Sequence, residues 1–526
     1  SERGAALLSR DQQQQQQPSH RKAATEAADL TNKILRSNNF EAVAALCEQH
    51  GADLGASNAA DCLTHLVRFA GAIRVRHQRA AAARAVRVLT FGALADPHNL
   101  TAPRLSRVLY AHAKFNADPS QELLQALPGA TRRVVDDLTA QQISSMLWSI
   151  AKLRLKSCTE LLSLMTAQAL VRVRDFGARE VSNAMWSFAK LESEVGEELL
   201  QGLQDRGLAT TADFNAQAIS NTLWSFATLD ILPSEDLMNA LGARAAERMD
   251  EFCAQHLSNT LWALARLRVL PDESLLSRLK ERALQVMPDF TAQAVSNTMW
   301  AYASLGVHPG EELLLALKRQ ALVRIADFNS QGISTTLAAF AKLGEHPGQE
   351  LVEALRCEAL SKVRTFGSQG VSTTLWALAS LGEAPGEDLM EGLSTQALDL
   401  VHDFNPQALS NSLWAFATLG MQPDGRLLEW MKVQVAESVD SLNAQAVCNI
   451  LFSFSVLEVH PGDELLDALQ EQAVVCMDDF DSRSMANVLR PFVWLQVQPR
   501  AELVQGLQRQ AIHLMREGTI PAGDVL

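Results

Sequence analysis

Seven of the nine tryptophans lie on a regular grid of 38 residues, with one double step across Ala338. They are Trp148, Trp186, Trp224, Trp262, Trp300, Trp376 and Trp414. The same spacing continues to Tyr110 on one side and to Phe452 and Arg490 on the other, without insertion or deletion, which gives eleven grid positions. A fixed period of about 20 to 50 residues is typical of a solenoid, in which each unit packs only on its neighbours. We therefore expect an extended surface to carry the function.

The sequence around each grid position predicts a helix. Apolar residues recur at three- and four-residue steps from Val295 to Leu305, the pattern of a helix buried on a broad face. Thr291 stands where an N-cap belongs, and Gly306 with Pro309 predicts the helix end. The same cap position holds Asn215, Asn329, Asn405, Asn443 and Asp481, and the Gly and Pro pair recurs as Gly344 with Pro347, Gly382 with Pro385, and Gly420 with Pro423. A second helix with acidic residues in its first turn follows, from Glu311 to Ile325.

These patterns predict an all-α protein, an α-solenoid superhelix of about eleven 38-residue helical hairpins with a degenerate helical cap at its N-terminal end. We assign residues 99–516 to the repeat array and 25–98 to the cap. Residues 1–24 include the glutamine run Gln12–Gln17 and are expected to be disordered, and 517–526 form a C-terminal tail. The chain begins at Ser1, which suggests a processed or trimmed N-terminus.

Composition narrows the class of protein. No run approaches 18 apolar residues, so we expect no membrane span. The seven cysteines include no CxxC pair and read as reduced thiols in a non-secretory compartment. There is no Gly-rich phosphate loop, HExxH motif or nucleophile elbow, so we predict a protein that is not an enzyme, with no cofactor, no metal and no small-molecule substrate. The net charge of -14 means that RNA binding would need a local basic stripe.

The repeat motif resembles the octotricopeptide repeat, a family of 38-residue helical hairpins. The resemblance is carried by Phe290-x-x-Gln293-x-x-Ser296-Asn297-Thr298-x-Trp300-Ala301-x-Ala303-x-Leu305-Gly306 and by the matching segment from Phe404 to Gly420. It implies an α-solenoid that binds single-stranded RNA in a chloroplast or mitochondrion. It also implies a role in transcript maturation, stability or translation.

Three residue types recur at fixed helix positions without being charged. We interpret the tryptophan as a core filler between stacked hairpins, because a large aromatic flanked by apolar residues at helical spacing is usually buried. The glutamines Gln217, Gln255, Gln293, Gln331, Gln369, Gln407 and Gln445 bond either the helix start and neighbouring repeats or an RNA. The asparagines Asn183, Asn221, Asn259, Asn297, Asn411, Asn449 and Asn487 are expected to tie neighbouring units together.

Candidate RNA-binding cations also recur at fixed positions, and stacking of the repeats would turn each position into a column that follows a phosphate backbone. The position four residues after the grid holds Lys152, Lys190, Arg266 and Lys342. Three positions of the second helix hold Lys280, Lys318, Arg356 and Lys432; Arg206, Arg244 and Arg282; and Arg172, Arg248, Arg324 and Lys362. The other interpretation is that these side chains are solvated and balance nearby acids.

The function predicted from the sequence is that of an organellar RNA-binding helical-repeat protein whose partner is single-stranded RNA. The alternative is a protein-binding scaffold, or a structural subunit of a large organellar complex such as a ribosome, with other protein subunits as partners. A continuous basic column would favour the first function, and exposed apolar or acidic patches would favour the second.

Overall fold

A computed structural model describes residues 25–73, 75–94 and 101–516, and these residues contain helices and turns but no strand. The glutamine-rich segment 1–24 and the tail 517–526 lie outside the described residues, as do positions 95–98 of the assigned cap. The predicted all-α solenoid is confirmed, because the described chain is a succession of helical hairpins that pack in one regular pattern.

Four helices precede the hairpins. Residues 25–36 are helical (α1), followed by α2 (Phe40–His50), α3 (Ala56–Arg68) and α4 (Arg76–Leu94), with 3-10 turns at Gly51–Asp53 and Phe69–Gly71. Helix α4 packs against α2 and α3, and both α3 and α4 contact the first helix of the first hairpin. Cys47 and Cys62 are fully buried in this cluster, and burial raises the pKa of each thiol to about 12, so both stay protonated.

Eleven hairpins follow. Their first helices are α5 (Ala102–Phe115), α7 (Ala140–Lys152), α9 (Ala178–Leu191), α11 (Ala216–Leu229), α13 (Ala254–Arg266), α15 (Ala292–Leu305), α17 (Ser330–Leu343), α19 (Ser368–Leu381), α21 (Pro406–Thr418), α23 (Ala444–Val456) and α25 (Ser482–Leu495). Their second helices are α6 (Gln121–Val134), α8 (Thr159–Arg172), α10 (Glu197–Ala209), α12 (Glu235–Glu247), α14 (Glu273–Gln285), α16 (Glu311–Val323), α18 (Gln349–Ser361), α20 (Glu387–Asp399), α22 (Gly425–Glu437), α24 (Asp463–Val475) and α26 (Ala501–Arg516). Both series begin anew every 38 residues, so the period read from the tryptophans is the period of the fold.

A 3-10 turn links each second helix to the next hairpin. These turns are Val135–Asp137, Val173–Asp175, Thr211–Asp213, Met249–Glu251, Met287–Asp289, Ile325–Asp327, Val363–Thr365, Val401–Asp403, Val439–Ser441 and Met477–Asp479.

The predicted helix caps are present. Asn215, Thr291 and Asn329 each accept a hydrogen bond from the backbone amide three residues later, at 2.9, 3.2 and 2.8 Å. Gly306 and Gly344 end their helices in the left-handed region, with φ of 66° and 68°. Only glycine adopts this conformation without steric cost, which explains the Gly and Pro pair that follows these helices.

Two rows of aromatic residues fill the core. One row follows the 3-10 turns and includes the fully buried Phe214 and Phe290, and the other lies two residues after the grid position and includes Phe226, Tyr302 and Phe416. Each buried ring stabilises its hairpin by roughly 1.5 to 3 kcal/mol, and buried leucine or isoleucine takes its place at positions such as Leu138 and Ile150.

The chain divides into two compact units between Glu251 and Phe252. Within each unit, successive first helices pack closely side by side, whereas successive second helices touch over a shorter length. Because the more closely spaced layer lies on the inside of a curve, the first helices form the inner layer of each unit.

Candidate functional site

One exposed stripe crosses the first helix of each hairpin. In α15 the stripe contains Gln293 and Ser304, which are exposed, and Asn297 and Trp300, which are half-buried. Their spacings of four, three and four residues place the four side chains on one helical face. From Ala292 to Tyr302 the other residues of α15 are buried. The stripe is thus the surface that this helix offers to a ligand.

Side-by-side packing of the first helices repeats the stripe within each unit, so that equivalent residues form columns. We name them the Gln column, the Asn column, the Trp column and the edge column, the last being the position four residues after the grid. The Gln and Asn columns consist of the seven glutamines and seven asparagines named above, with Thr335 and Thr373 in two Asn positions. The inner face of each unit is therefore mainly a band of amides and indoles; within the band, Arg107 replaces the asparagine of α5 and Arg179 the glutamine of α9, and both are exposed.

The Trp column is not part of the core. All seven tryptophans are half-buried, whereas the phenylalanine rows are buried, so the prediction of the tryptophan as a core filler is wrong. Two neighbouring pairs of indoles pack on one another, with ring centroids 6.3 Å apart for Trp148 and Trp186 and 6.2 Å apart for Trp262 and Trp300. We call the repeated row of indoles the ladder; its rings are partly open to solvent, and an open indole can stack on a planar ligand.

The amide columns have few partners within the protein. Gln369 donates a long hydrogen bond of 3.4 Å to Thr373, and the side chains of the other six glutamines and of the seven asparagines form no hydrogen bond with the described residues. The expected tie between neighbouring units through the asparagines is therefore not seen. Each amide can both donate and accept, which suits the edge of a nucleobase.

The edge column carries the cations of this face. Lys152, Lys190, Arg266 and Lys342 are all exposed. Lys114 belongs to the same column and was missed from the sequence because its grid residue is Tyr110. Its ammonium lies 5.8 Å from the Tyr110 ring centroid and 5.7 Å from that of Trp148, within cation–π distance.

The edge column also borders a cavity. A cavity of 500 Å³ beside Trp300 is lined by Arg266 and Lys342 from the two flanking hairpins. In this unit, therefore, cations lie directly beside an indole of the Trp column.

The predicted cations of the second helices lie outside the stripe, where they are half-buried and bond to the backbone. Arg206, Arg244 and Arg282 donate through Nε to the carbonyls of Phe176, Phe214 and Phe252, at 2.5, 3.1 and 3.0 Å. Each of these carbonyls lies between the 3-10 turn and the first helix of the same hairpin. Gln320 donates from the corresponding position to the carbonyls of Pro288 and Phe290, at 3.3 and 2.7 Å. These side chains therefore hold each second helix to the segment that enters its own hairpin.

The other two columns of the second helices are engaged in the same way. Arg172, Arg324 and Lys362 donate to the carbonyls of Asp136, Pro288 and Ala326, and Arg248 pairs with Glu251. Lys318 and Arg356 donate to the carbonyls of His346 and Pro385, Lys432 pairs with Glu429, and Lys280 lies against Gly310. Of the fifteen predicted cations, only Lys152, Lys190, Arg266 and Lys342 belong to the exposed stripe.

Exposed carboxylates border the opposite side of the amide band. They lie in the 3-10 turns just before the first helices, as Asp175, Asp213, Asp289, Asp327 and Asp403. Negative charge is favourable there because the helix N-terminus has a partial positive charge. A polyanion on this face would therefore be attracted to the edge column and repelled from the turns.

The fold and this face define a class, that of helical-repeat proteins which offer an extended polar surface. The sequence model of the RNA-editing substrate-binding complex 6 protein family matches residues 57–242, 224–385 and 383–520. Since the matches cover most of the chain, this protein belongs to that family. The prediction of an RNA-associated helical-repeat protein is confirmed at this level, and the narrower octotricopeptide assignment stays a prediction.

Other comparisons inform the fold only. No curated protein matches the chain. Among solved structures it is similar to a homology model of the full-length AP-3 complex in an intermediate open conformation, with 11% identity, a TM-score of 0.32, and coverage of 93% of this chain and 87% of that one. It is also similar to the karyopherin Kap121p bound to the SUMO protease Ulp1p, with 12% identity, a TM-score of 0.29, and coverage of 95% and 59%. No functional argument follows from similarities this weak.

The described residues lack two further kinds of site. No helix among them has both the length and the apolar character needed to cross a membrane. Within the same ranges, no three His, Cys, Asp or Glu side chains are grouped as metal ligands would be.

Proposed function

We propose that this protein binds single-stranded RNA along the inner face of its first helices, as a non-enzymatic subunit of an RNA-editing complex. The observation that carries the proposal is the exposed stripe, which combines amides, indoles and, at several edge positions, cations in that order. Single strands are held in proteins by stacking on aromatic side chains, by hydrogen bonds to base edges and by cations along the phosphates. The family to which the chain belongs supports an RNA-related role.

The charge distribution orients the strand on this face. The phosphates would follow the edge column, where Lys152, Lys190, Arg266 and Lys342 are exposed, and the bases would lie over the Trp and Asn columns. The acidic turns on the far side would keep the backbone away from that border. The amides vary little between repeats, so this face would distinguish one RNA sequence from another only at hairpins where a residue of the columns is replaced.

The same family supports a proposal for the cellular compartment. Proteins of this kind of complex are typically mitochondrial, so of the two organelles implied by the repeat motif we propose the mitochondrion. Transcript maturation is then the proposed process, and the octotricopeptide family remains a proposal about the ancestry of the repeat.

The proposal is tested by the salt dependence of RNA binding. Replacement of Lys152, Lys190, Arg266 and Lys342 by Ala removes four cations of the edge column. Each lost phosphate contact lowers the slope of log K against log salt by about 0.7 for a single strand, so a decrease of about 3 is expected. Binding of a fluorescent RNA pool at several salt concentrations measures that slope.

A matched control removes the same charge from elsewhere. Arg174, Arg278, Arg319 and Arg426 are exposed and lie on 3-10 turns or second helices. Their replacement by Ala should leave the slope unchanged. Equal slopes for the two variants would contradict the proposed path of the backbone, and an absence of binding by the unaltered protein would contradict RNA binding itself.

A protein-binding role is the second candidate, and it is favoured by the last hairpin. Val493 is 80% exposed, and Trp494, Val497 and Ile512 are 39, 38 and 49% exposed. An apolar group of this kind is more typical of a protein contact than of RNA binding. This role would be favoured if the unaltered chain captures protein subunits and binds no RNA, and if Val493→Asp captures none of those subunits.

A further inference from the structure

The Trp column has one missing ring. The grid position between Trp300 and Trp376 is Ala338, and its neighbours in the Asn column are Thr335 and Thr373. Ala338 is much smaller than the tryptophan that usually occupies its position, whereas threonine has about the size of asparagine; all three residues lie on α17 and α19, which pack side by side. The inner face is therefore recessed at this point.

A cavity of 840 Å³ includes the recess and continues along the inner face as far as Asn449. Trp300 and Trp376 line it from the two flanking hairpins, and Ala338 lies between them. The cavity beside Tyr110 and Trp148, where neighbouring rings are in contact at 5.5 Å, has a volume of 310 Å³. The missing indole thus lies within a larger cavity than the one beside an intact pair of rings.

The ladder sets the size of the ring that fits. The indoles of Trp262 and Trp300, on neighbouring hairpins, have their ring centroids 6.2 Å apart. Trp300 and Trp376 are two steps apart on the same grid. One planar ring placed beside Ala338 would therefore stand one step from each indole and continue the ladder. Stacking between aromatic rings is favourable at centroid distances of about 4.5 to 7 Å.

The polar lining suits a nucleotide. The exposed amides of Gln331 and Gln369 and the hydroxyls of Thr335 and Thr373 line the cavity and can donate to or accept from the edge of a base. Lys342, in the edge column, lines the same cavity and is exposed. A base in the recess would place its own phosphate near this ammonium.

We infer that the recess at Ala338 binds one nucleobase, inserted between Trp300 and Trp376, with Lys342 at its phosphate. The inference rests on the proposed function and deepens it, because it locates the one point on the face where a base enters the protein. A base of a bound strand and a free nucleotide share this chemistry, and the experiment separates them.

The test fills the recess. Ala338→Trp restores the residue that seven other hairpins have at this position, so the variant should fold, which circular dichroism checks. Its control is Ser380→Trp, which adds an indole at an exposed position of the edge column outside the cavity. Both variants and the unaltered protein are irradiated with a dodecamer RNA that contains 4-thiouridine, and the crosslinked peptides are sequenced.

We expect crosslinks at Trp300 and Trp376 in the unaltered protein and in Ser380→Trp, and their loss in Ala338→Trp, while crosslinks at Trp148 and Trp186 persist. Affinity should fall about 5- to 150-fold in Ala338→Trp, as for the loss of one stacked base. Equal affinity and unchanged crosslinks in Ala338→Trp would overturn the inference and leave RNA binding intact.

A second titration uses AMP alone, followed by tryptophan fluorescence. One outcome is that AMP quenches the fluorescence of the unaltered protein but not that of Ala338→Trp, while the unaltered protein binds no dodecamer. That result would support the recess as a nucleotide site and overturn RNA binding. If neither the dodecamer nor AMP binds, both the inference and the proposed function are wrong.

Discussion

Five threonine hydroxyls that lie two residues before the grid position are buried without a hydrogen-bond partner among the described residues, and their removal should stabilise the fold. They belong to Thr222, Thr260, Thr298, Thr336 and Thr374. Thr222 is 1% exposed. A buried polar group without a partner costs about 1 to 3 kcal/mol of desolvation, whereas valine has the same shape and no such cost. We expect Thr222→Val to raise the free energy of unfolding by about 1 kcal/mol.

Hydrogen exchange of the amides of α11 measures this change locally, since stability in a solenoid is distributed over individual repeats and their interfaces. A gain of about 1 kcal/mol should slow exchange about fivefold. Thr210→Val is the control, because Thr210 is also buried but donates to the carbonyl of Arg206 at 2.8 Å. That variant should lose roughly 1 kcal/mol. Equal destabilisation by both variants would refute the reasoning and show that the Thr222 hydroxyl has a partner.

Three further predictions concern single side chains. Gln320→Leu should lower the free energy of unfolding by about 2 kcal/mol in urea titration, because two carbonyls of the segment that enters this hairpin lose their donor; a loss below about 0.5 kcal/mol would contradict this role. Gly344→Ala should lower the free energy of unfolding by about 1 kcal/mol in the same assay, since the φ of Gly344 is 68°. Gly344→Asn should lower it less, because Asn116 adopts this conformation at the end of α5. Burial lowers the pKa of His112 from its ordinary value of 6.5, so the unfolded chain binds this proton more readily and stability should fall as pH decreases below about 6.5. The urea midpoints measured at about pH 7.5 and about pH 5.5 should lie closer together in His112→Phe than in the unaltered protein. If the difference between them is unchanged in that variant, the loss of stability at low pH comes from another group.

The sequence revealed the period, the helix boundaries and the caps, because each depends on residues close together in the chain. Asn329 at a helix start and Gly344 at a helix end act through their own backbone neighbourhood, and the structure bears out both positions. Long-range contacts were less accessible. Arg282 bonds a carbonyl thirty residues earlier, and a carbonyl has no signature in the sequence. For that reason a solvated cation and a cation that bonds a distant carbonyl look alike in the sequence.

The site could have been found more completely. Gln293, Asn297, Trp300 and the edge position are spaced by four, three and four residues, which is the spacing of a single helical face. Considered separately, the tryptophan suggested the core and the amides remained ambiguous. Considered together, two polar residues on the same face as the tryptophan indicate that this face is not fully buried.

The unbroken register of the hairpins has a consequence for how such a chain can change over time. A duplication or loss of a whole 38-residue segment joins α-helices that already match, so the array can lengthen or shorten while every internal contact is reproduced. An insertion of one residue inside a first helix would instead rotate everything beyond it by about 100°, turning the amides inward and apolar residues to solvent. The array therefore tolerates the gain or loss of whole hairpins but not a shift of register by single residues. The number of ligand positions can change in this way, while the geometry of each position stays constant.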